Sequence, residues 1–401
     1  MIFTLDVRRA RKGDCLIVHY GTKTEPGLML IDGGPADVYQ PFLKPRLAEI
    51  LNARGLAANE TLPVDLLMVS HIDDDHIRGV LELTKEMIEA QGPKPLRISG
   101  VWHNSFDDII GNNPKELLAS VTSSFGAASL SGDVDVEGLN PDAAKVLASV
   151  DQGFRLRDDS KVLGLRINPQ LKGQLVLAKA KAKKVDMGKG LSLTVVGPMN
   201  DEVLALQKAH DDFLKKKKTK KSEASLAAFT DTSVPNLSSL VVLAEVGKKR
   251  ILFTGDARGD KVLEGLELVG LLKKDGKSKI KVDVLKCPHH GSDRNIDPIF
   301  FRRIPADHYI FSGNGQHGNP ERATLQMLLD ERGDEKFTIH LTYPIPDIDV
   351  ERKAEAKKHG KAWSPKKDGL VAFFAENPKF AKKVSIVDEK KPHLINLLDK
   401  M

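Results

Sequence analysis

The sequence predicts a layered α+β protein, and three observations carry that expectation. Short apolar runs rich in β-branched residues recur along the chain, many of them closed by Gly, Pro, Asp or Asn. Stretches with a helical pattern lie between some of them, and the strands come in two batches with helices between. The composition, 41% hydrophobic with 29% charged and 5% aromatic residues in 401, is that of a globular chain and argues against collagen-like, coiled-coil and wholly disordered readings.

In chain order, strands are expected at residues 2–7, 15–20 and 28–31, because continuous apolar runs this short read as strands buried on one or both faces. A helix at 41–54, a strand at 66–69, a helix at 77–90 and a strand at 96–102 follow. The stretch from about 104 to 190 breaks the pattern. It holds a turn-rich segment at 107–114, a small-residue segment at 121–132 and a Lys/Ala run at 178–184, and it reads as an insertion in one domain spanning 1–401. Strands resume at 191–196, 239–246, 250–253, 282–287 and 308–311 and end with 336–341, 370–374 and 383–387; helices are expected at 201–214 and 320–331. A Lys-rich loop at about 214–224 contains KKKKTKK at 215–221. Each Lys block is either a solvated helix end or loop, or a phosphate-binding rim, and no interleaved aromatic residues mark a stacking platform.

No run approaches the roughly 18 apolar residues that span a bilayer. The first residues place their basic groups after the first apolar stretch, unlike a secretory signal. A cytoplasmic protein with no membrane insertion is therefore expected. Two distant cysteines, Cys15 and Cys287, exclude a disulfide scaffold and a zinc knuckle, so any metal must be held by His and carboxylate. The formal charge of +6 is compatible with an anionic substrate without requiring one.

The decisive segment is Val69-Ser70-His71-Ile72-Asp73-Asp74-Asp75-His76. An apolar strand runs into two imidazoles and three carboxylates, and a helix follows. Carboxylates crowded at one strand end are electrostatically costly without a cation, and His with Asp are donors for Zn²⁺, Mn²⁺ or Fe²⁺. A capped helix start explains one Asp, but not both histidines.

H-x-D-x-D-H resembles the H-x-H-x-D-H signature of the metallo-β-lactamase superfamily, with Asp73 at the second His. Asp32-Gly33-Gly34, Phe253-Thr254-Gly255-Asp256 and Pro288-His289-His290-Gly291-Ser292 follow in the order of that superfamily's motifs. With Gly13-Asp14-Cys15-Leu16-Ile17 and the run from Asn236 to Val242, the set is similar to the metallo-β-lactamase domain of ComEC-type DNA-uptake proteins, and a bacterial phosphorylcholine esterase shares the pattern. The resemblance implies a four-layer αββα sandwich holding two divalent cations, zinc first and manganese as the alternative. It implies His71 and Asp73 on one ion, Asp75, His76 and His289 on the other, and Asp256 bridging; Asp32 is a turn element rather than a ligand. Asp75, His290 and His317 are the implied catalytic groups. His290 either donates a proton or holds a phosphoryl oxygen, or it is itself the ligand while His289 packs on the sheet.

Two departures stand out. Asn236 occupies the region of a third His, and Gly318-Asn319-Pro320 replaces a Gly-His-Pro, with His317 either taking over that role or serving as a loop residue. His103 and Asn104 fall at a strand end that is either the site rim or ordinary structure, and His19, His210, His308, His340, His359 and His393 read as structural or exposed. The expected activity is metal-dependent hydrolysis, of a phosphodiester and of nucleic acid first, with the Lys-rich segments meeting the substrate. The alternatives are a small phosphodiester or ester substrate, or a non-catalytic metal-stabilised scaffold that binds a protein partner through the 104–190 insertion.

Overall fold

The apolar runs assemble into sheets in the computed structural model, which describes residues 1–57, 59–105, 141–204 and 238–399. The architecture is mixed α/β. A six-stranded sheet contains β1 (Ile2–Val7), β2 (Leu16–Gly21), β3 (Pro26–Ile31), β5 (Leu66–Met68), β7 (Val101–Trp102) and β16 (His393–Asn396), in the order β16-β1-β2-β3-β5-β7. A short pair joins β4 (Leu62–Val64) to β6 (Leu96–Ile98). The eight-stranded sheet runs back from β15 to β8. It comprises β8 (Val185–Gly188), β9 (Leu191–Gly197), β10 (Val241–Val246), β11 (Lys249–Phe253), β12 (Val282–Lys286), β13 (Ala306–Phe311), β14 (Thr338–Leu341) and β15 (Val384–Ile386).

Period-two alternation divides the buried side chains among three cores. Phe3, Leu5, Val18, Met29 and Met68 of the first sheet meet Leu193, Val242, Phe253, Val284 and Ile310 of the second in one cluster. The opposite faces of the same strands serve two others. Ile17, Leu30 and Leu67 pack with helices α1 (Lys44–Ala53) and α2 (Asp74–Glu89). Leu243, Leu252, Leu285, Tyr309 and Phe311 pack with α4 (Gly259–Leu268), α5 (Pro298–Arg303) and α6 (Arg322–Arg332), numbering α3 as Pro141–Val162. Burial on both faces is why these strands read as continuous apolar runs.

The expected strand at 370–374 is instead a helix. After α7 (Ile345–Lys358) and α8 (Pro365–Asp368), residues Leu370–Glu376 form α9, followed by α10 (Pro378–Ala381). Leu370, Phe373 and Phe374 are buried while Val371 is 49% exposed, the i, i+3, i+4 pattern of one helical face. The Asp349 carboxylate accepts from Leu370 N at 2.8 Å and Val371 N at 2.9 Å, capping the helix from a distance. The expected strand at 96–102 divides at Ser99-Gly100 into β6 and β7, and β4, β8 and β16 arise where no strand was expected. Most of the expected helix at 201–214, the loop at 214–224 and much of the insertion lie outside the described residues. No helix among the described residues is long and apolar enough to cross a membrane.

Candidate metal centre

Parallel pairing of β3 with β5, and of β11 with β12 and β13, brings their C-terminal ends to one edge. Beyond Met68 the chain continues through Ser70 and His71 and enters α2 with Asp73 as N-cap. Asp74 and Asp75 occupy the first turn, where negative charge faces the positive end of the helix. Glycines allow this helix to approach. A Cβ on Gly79 would stand 2.0 Å from the Gly33 carbonyl oxygen, so the Asp32-Gly33-Gly34 turn is the seat of α2. A Cβ on Gly13 would stand 1.8 Å from the Asp75 carbonyl oxygen, which lets the β1–β2 loop lie against the same turn.

Asp75, His76, Asp256 and His290 each present a donor atom, and the four donors lie within 4.8 Å of one another. His76 Nε2 is 3.1 Å from Asp256 Oδ1 and 4.0 Å from Asp75 Oδ1; His290 Nε2 is 3.4 Å from Asp256 Oδ1 and 3.6 Å from Asp75 Oδ2. Donors about 2.1 Å from a tetrahedral ion stand about 3.4 Å apart, so the spacing suits a cation. Three of these atoms, His76 Nε2, Asp256 Oδ1 and His290 Nε2, are buried without a hydrogen-bond partner, and so is His71 Nε2. Buried polar atoms are normally satisfied, and a cluster that is not fits a metal.

Each imidazole of the four-donor group is oriented from behind. His76 Nδ1 donates to Asp32 Oδ2 at 2.8 Å, and Asp32 is held in turn by Ser70 N at 2.7 Å and the Ser70 hydroxyl. His290 Nδ1 donates to Ser312 Oγ at 3.1 Å, and the Ser312 hydroxyl donates to Asp14 Oδ1. These bonds leave the Nε2 lone pairs facing the cluster, as in metal sites where a second partner fixes the tautomer. Asp14 Oδ2 also binds buried Lys286 Nζ at 2.6 Å, and Nζ lies 3.8 Å from Asp256 Oδ1. Asp14 and Asp32 with His76 form a second trio within coordinating distance, but both carboxylates are already engaged by these partners.

Charge follows the geometry. Burial alone raises the Asp256 carboxyl, but His290, His76 and His289 outweigh it and hold the group well below the usual carboxylate range. Burial lowers the His290 imidazole, yet Asp256 and Asp14 push it up to about 10. His76 is likewise raised against burial by Asp256 and Asp32. The carboxylates thus demand positive charge, which two imidazolium groups or a metal can supply.

The remaining expected residues sit around this group. His71 Nδ1 accepts from Asp73 N at 2.9 Å, and its ring lies 5.7 Å from that of His76. The Asp73 carboxylate is 34% exposed, with Oδ1 3.6 Å from His71 Nδ1, and stands outside the four-donor group. His289 is also outside it. Its side chain is 29% exposed, Nδ1 contacts Asn295 Oδ1 at 3.0 Å, and Nε2 lies 3.6 Å from Asp256 Oδ2. His289 and His290 both have left-handed backbone, φ +45° and +54°, at a cost of roughly 1–2 kcal/mol each. His317 is 37% exposed, 3.7 Å from Glu355, and lines a cavity together with His289. His103 is buried and drawn down to about 4, by burial first and then by His71. Asn104 pairs with both backbone groups of Val176 through its amide. Asn236 lies outside the described residues.

No family model matches the chain. A stretch of 82 residues, 20% of the chain, is 34% identical to microtubule-associated protein 1A of Rattus norvegicus, and the matches to Mus musculus and Homo sapiens have the same identity and length. The chain spans about 3% of the length of these curated relatives.

Sequence reasoning passed over Lys286 and Ser312 and gave Asp14 and Asp32 no part at the site. A lysine ending the buried strand Val282–Lys286 was a usable signal, because a buried charge needs a partner. Ser312 had no such signal, since its role depends on Asp14, 298 residues away.

Proposed function

We propose that this chain is a metal-dependent hydrolase of the metallo-β-lactamase fold whose substrates are phosphodiesters. The observation that carries the reading is the four-donor group Asp75, His76, Asp256 and His290, with three orphaned buried atoms and an orienting partner behind each imidazole. The three stacked cores, with helices outside two facing sheets, support a four-layer αββα sandwich.

Asp75, His76, Asp256 and His290 would hold one divalent cation. His71 and His289, flanking His76 and Asp256, are the groups available to a second, with zinc first and manganese as the alternative. Such ions supply Lewis-acid polarisation and a bound water deprotonated near neutral pH. The chain's own residues do the rest. Asp32 and the Ser312–Asp14 pair fix the two imidazole tautomers. Asp256 lies buried behind His289, and His317, which lines the same cavity as His289, would meet a departing oxygen there.

One observation favours the non-catalytic alternative. Lys286 is a resident cation that already offsets part of the negative charge of Asp14 and Asp256, so fewer ions are needed for neutrality. Elemental analysis of wild type and Asp256→Ala, paired with turnover of bis-p-nitrophenyl phosphate, separates the two. Near two metals per chain with turnover that disappears in the variant supports the hydrolase. Metal without turnover, in added Zn²⁺ and in added Mn²⁺, makes the scaffold the better account.

A further inference from the structure

A cavity of about 930 Å³ opens beside the candidate metal centre, and His289, Asn295 and Trp363 are among the residues that line it. Its charges are not balanced. Every lining carboxylate is engaged: Glu321 accepts from Asp293 N at 3.0 Å and shares a side-chain hydrogen bond with that aspartate, Glu355 meets His359 at 2.9 Å, and Asp368 accepts from Ser364 N at 2.6 Å. Burial, with Asp293 adding to it, pushes the Glu321 carboxyl up to about 7, which further reduces the negative charge of this wall.

The lining arginines and lysines divide into two groups. Arg258, Arg322 and Arg352 pair with Asp260, Glu376 and Asp349. Arg294, Lys361 and Lys367 are exposed on the same lining with no ion pair among the described residues. Three unpaired cations in a concave surface attract a chain of phosphates far more than a lone monoester, because each added phosphate finds a further cation. Trp363, with the Arg352 guanidinium over its ring at 5.2 Å from the centroid, adds an aromatic group to the lining. Base stacking on such a ring is tolerant of sequence.

We infer that this cavity is the binding groove for a single-stranded nucleic acid, with the scissile phosphodiester at His289, whose Nε2 lies 3.6 Å from Asp256 Oδ2, and the flanking backbone on Arg294, Lys361 and Lys367 beside Trp363. The inference rests on the phosphodiesterase reading and adds its substrate class. It also places recognition on the loop residues Arg294, Lys361 and Trp363 and on Lys367 of α8, rather than on the Lys-rich segment at 215–221.

The test is the triple variant Arg294→Gln/Lys361→Gln/Lys367→Gln, with Lys361→Arg/Lys367→Arg as the charge-preserving control. All three side chains are exposed, and a thermal melt checks that the fold is retained. Binding of a fluorescent single-stranded 12-mer by anisotropy, at several salt concentrations, gives a readout independent of turnover. Kinetics on the 12-mer and on bis-p-nitrophenyl phosphate give the second. The wild-type slope of log affinity against log salt should become shallower by about 2 in the triple variant, at about 0.7 per lost contact on a single strand. Loss of kcat/KM on the 12-mer should exceed the loss on the small diester by at least tenfold, through KM, and the arginine control should restore it. Equal losses on both substrates, or an unchanged salt slope, overturn the groove. So does tighter binding of a duplex than of the single strand. A wild type inactive on the small diester with either metal fails the underlying phosphodiesterase reading instead, and the binding slope still decides whether the groove holds nucleic acid.

Discussion

Two groups of histidines lie in this molecule, and their surroundings give them opposite properties. At the candidate metal centre, His76 and His290 face Asp256 and Asp75, and both are raised above the ordinary imidazole range. Elsewhere, His308, His340 and His393 form a row, with His308 Nδ1 3.0 Å from His340 Nε2 and His340 Nδ1 2.8 Å from His393 Nε2. His340 meets an imidazole at each nitrogen and no carboxylate among the described residues. Burial, then His393 and His308, draw it down to about 2. Three neutral rings carry one proton each and can pass N–H to lone pair along the row, whereas an extra proton on His340 would set an N–H against a neighbouring N–H or cost that ring its accepting lone pair. The residue type is shared, and the carboxylate neighbours decide whether it gathers positive charge or excludes it.

The sharpest way to break the contrast is at Lys286. Replacing it with methionine leaves Asp14 buried without its closest cation, and loss of one partner from a buried pair costs about 3–5 kcal/mol. Urea unfolding at neutral pH measures this, and a loss below 1 kcal/mol would show that Asp14 does not depend on the lysine.

The next test uses acid on the histidine row. The folded-state pKa of His340 lies below its unfolded value near 6.5, so the unfolded chain binds the extra proton between those limits. Stability from this group is therefore complete above about pH 6.5 and declines as pH falls, at about 1.4 kcal/mol per unit. In His340→Gln that contribution is gone, and the stability gap between wild type and variant should narrow by about 2 kcal/mol between pH 7.5 and pH 5. A gap that stays constant with pH would place the acid sensitivity elsewhere.

A smaller effect is expected where the candidate metal centre is held from behind. Ser312→Ala cuts the link from Asp14 to His290 and should weaken zinc binding about 10–100-fold, read by competition with a chromophoric chelator. The same substitution should leave the pH dependence of stability due to the histidine row intact. The least costly change lies far from both groups. Asp349→Ala removes the distant cap of α9 and should cost about 1 kcal/mol without altering metal affinity.

The central strands were legible because burial on both faces writes them as uninterrupted apolar runs, as in Leu28–Ile31 and Leu66–Met68. The run Leu370–Phe374 looked the same and is a helix, because five apolar residues do not declare a period and its cap comes from Asp349, 21 residues away. Short edge strands such as Val185–Gly188 and His393–Asn396 carry half-exposed residues and left no apolar signal. At the site, His76, Asp75, Asp256 and the His289-His290 pair were visible because donor residues adjoin strand ends in sequence. Which member of that pair joins the four-donor group was not visible. The answer depends on left-handed backbone at both positions and on Ser312 behind one of them. The row of His308, His340 and His393 was hidden for a related reason: its members come from strands of two different sheets, and no local spacing links them.

The pairing of β1 with β16 has a consequence for the order of synthesis. Thr4 and Asn396 face each other across the register and share a side-chain hydrogen bond over 392 residues. At 5–20 residues per second the ribosome takes roughly 20–80 s to deliver the second strand after the first. Throughout that interval the outer edge of β1 has open N–H and C=O groups and no neighbour, the condition under which strands recruit foreign partners. Asp75 and His76 are made early and Asp256 and His290 late, so the four-donor group too is completed only after most of the chain has emerged. Slower translation lengthens this exposure, and the nascent chain has most need of a chaperone then.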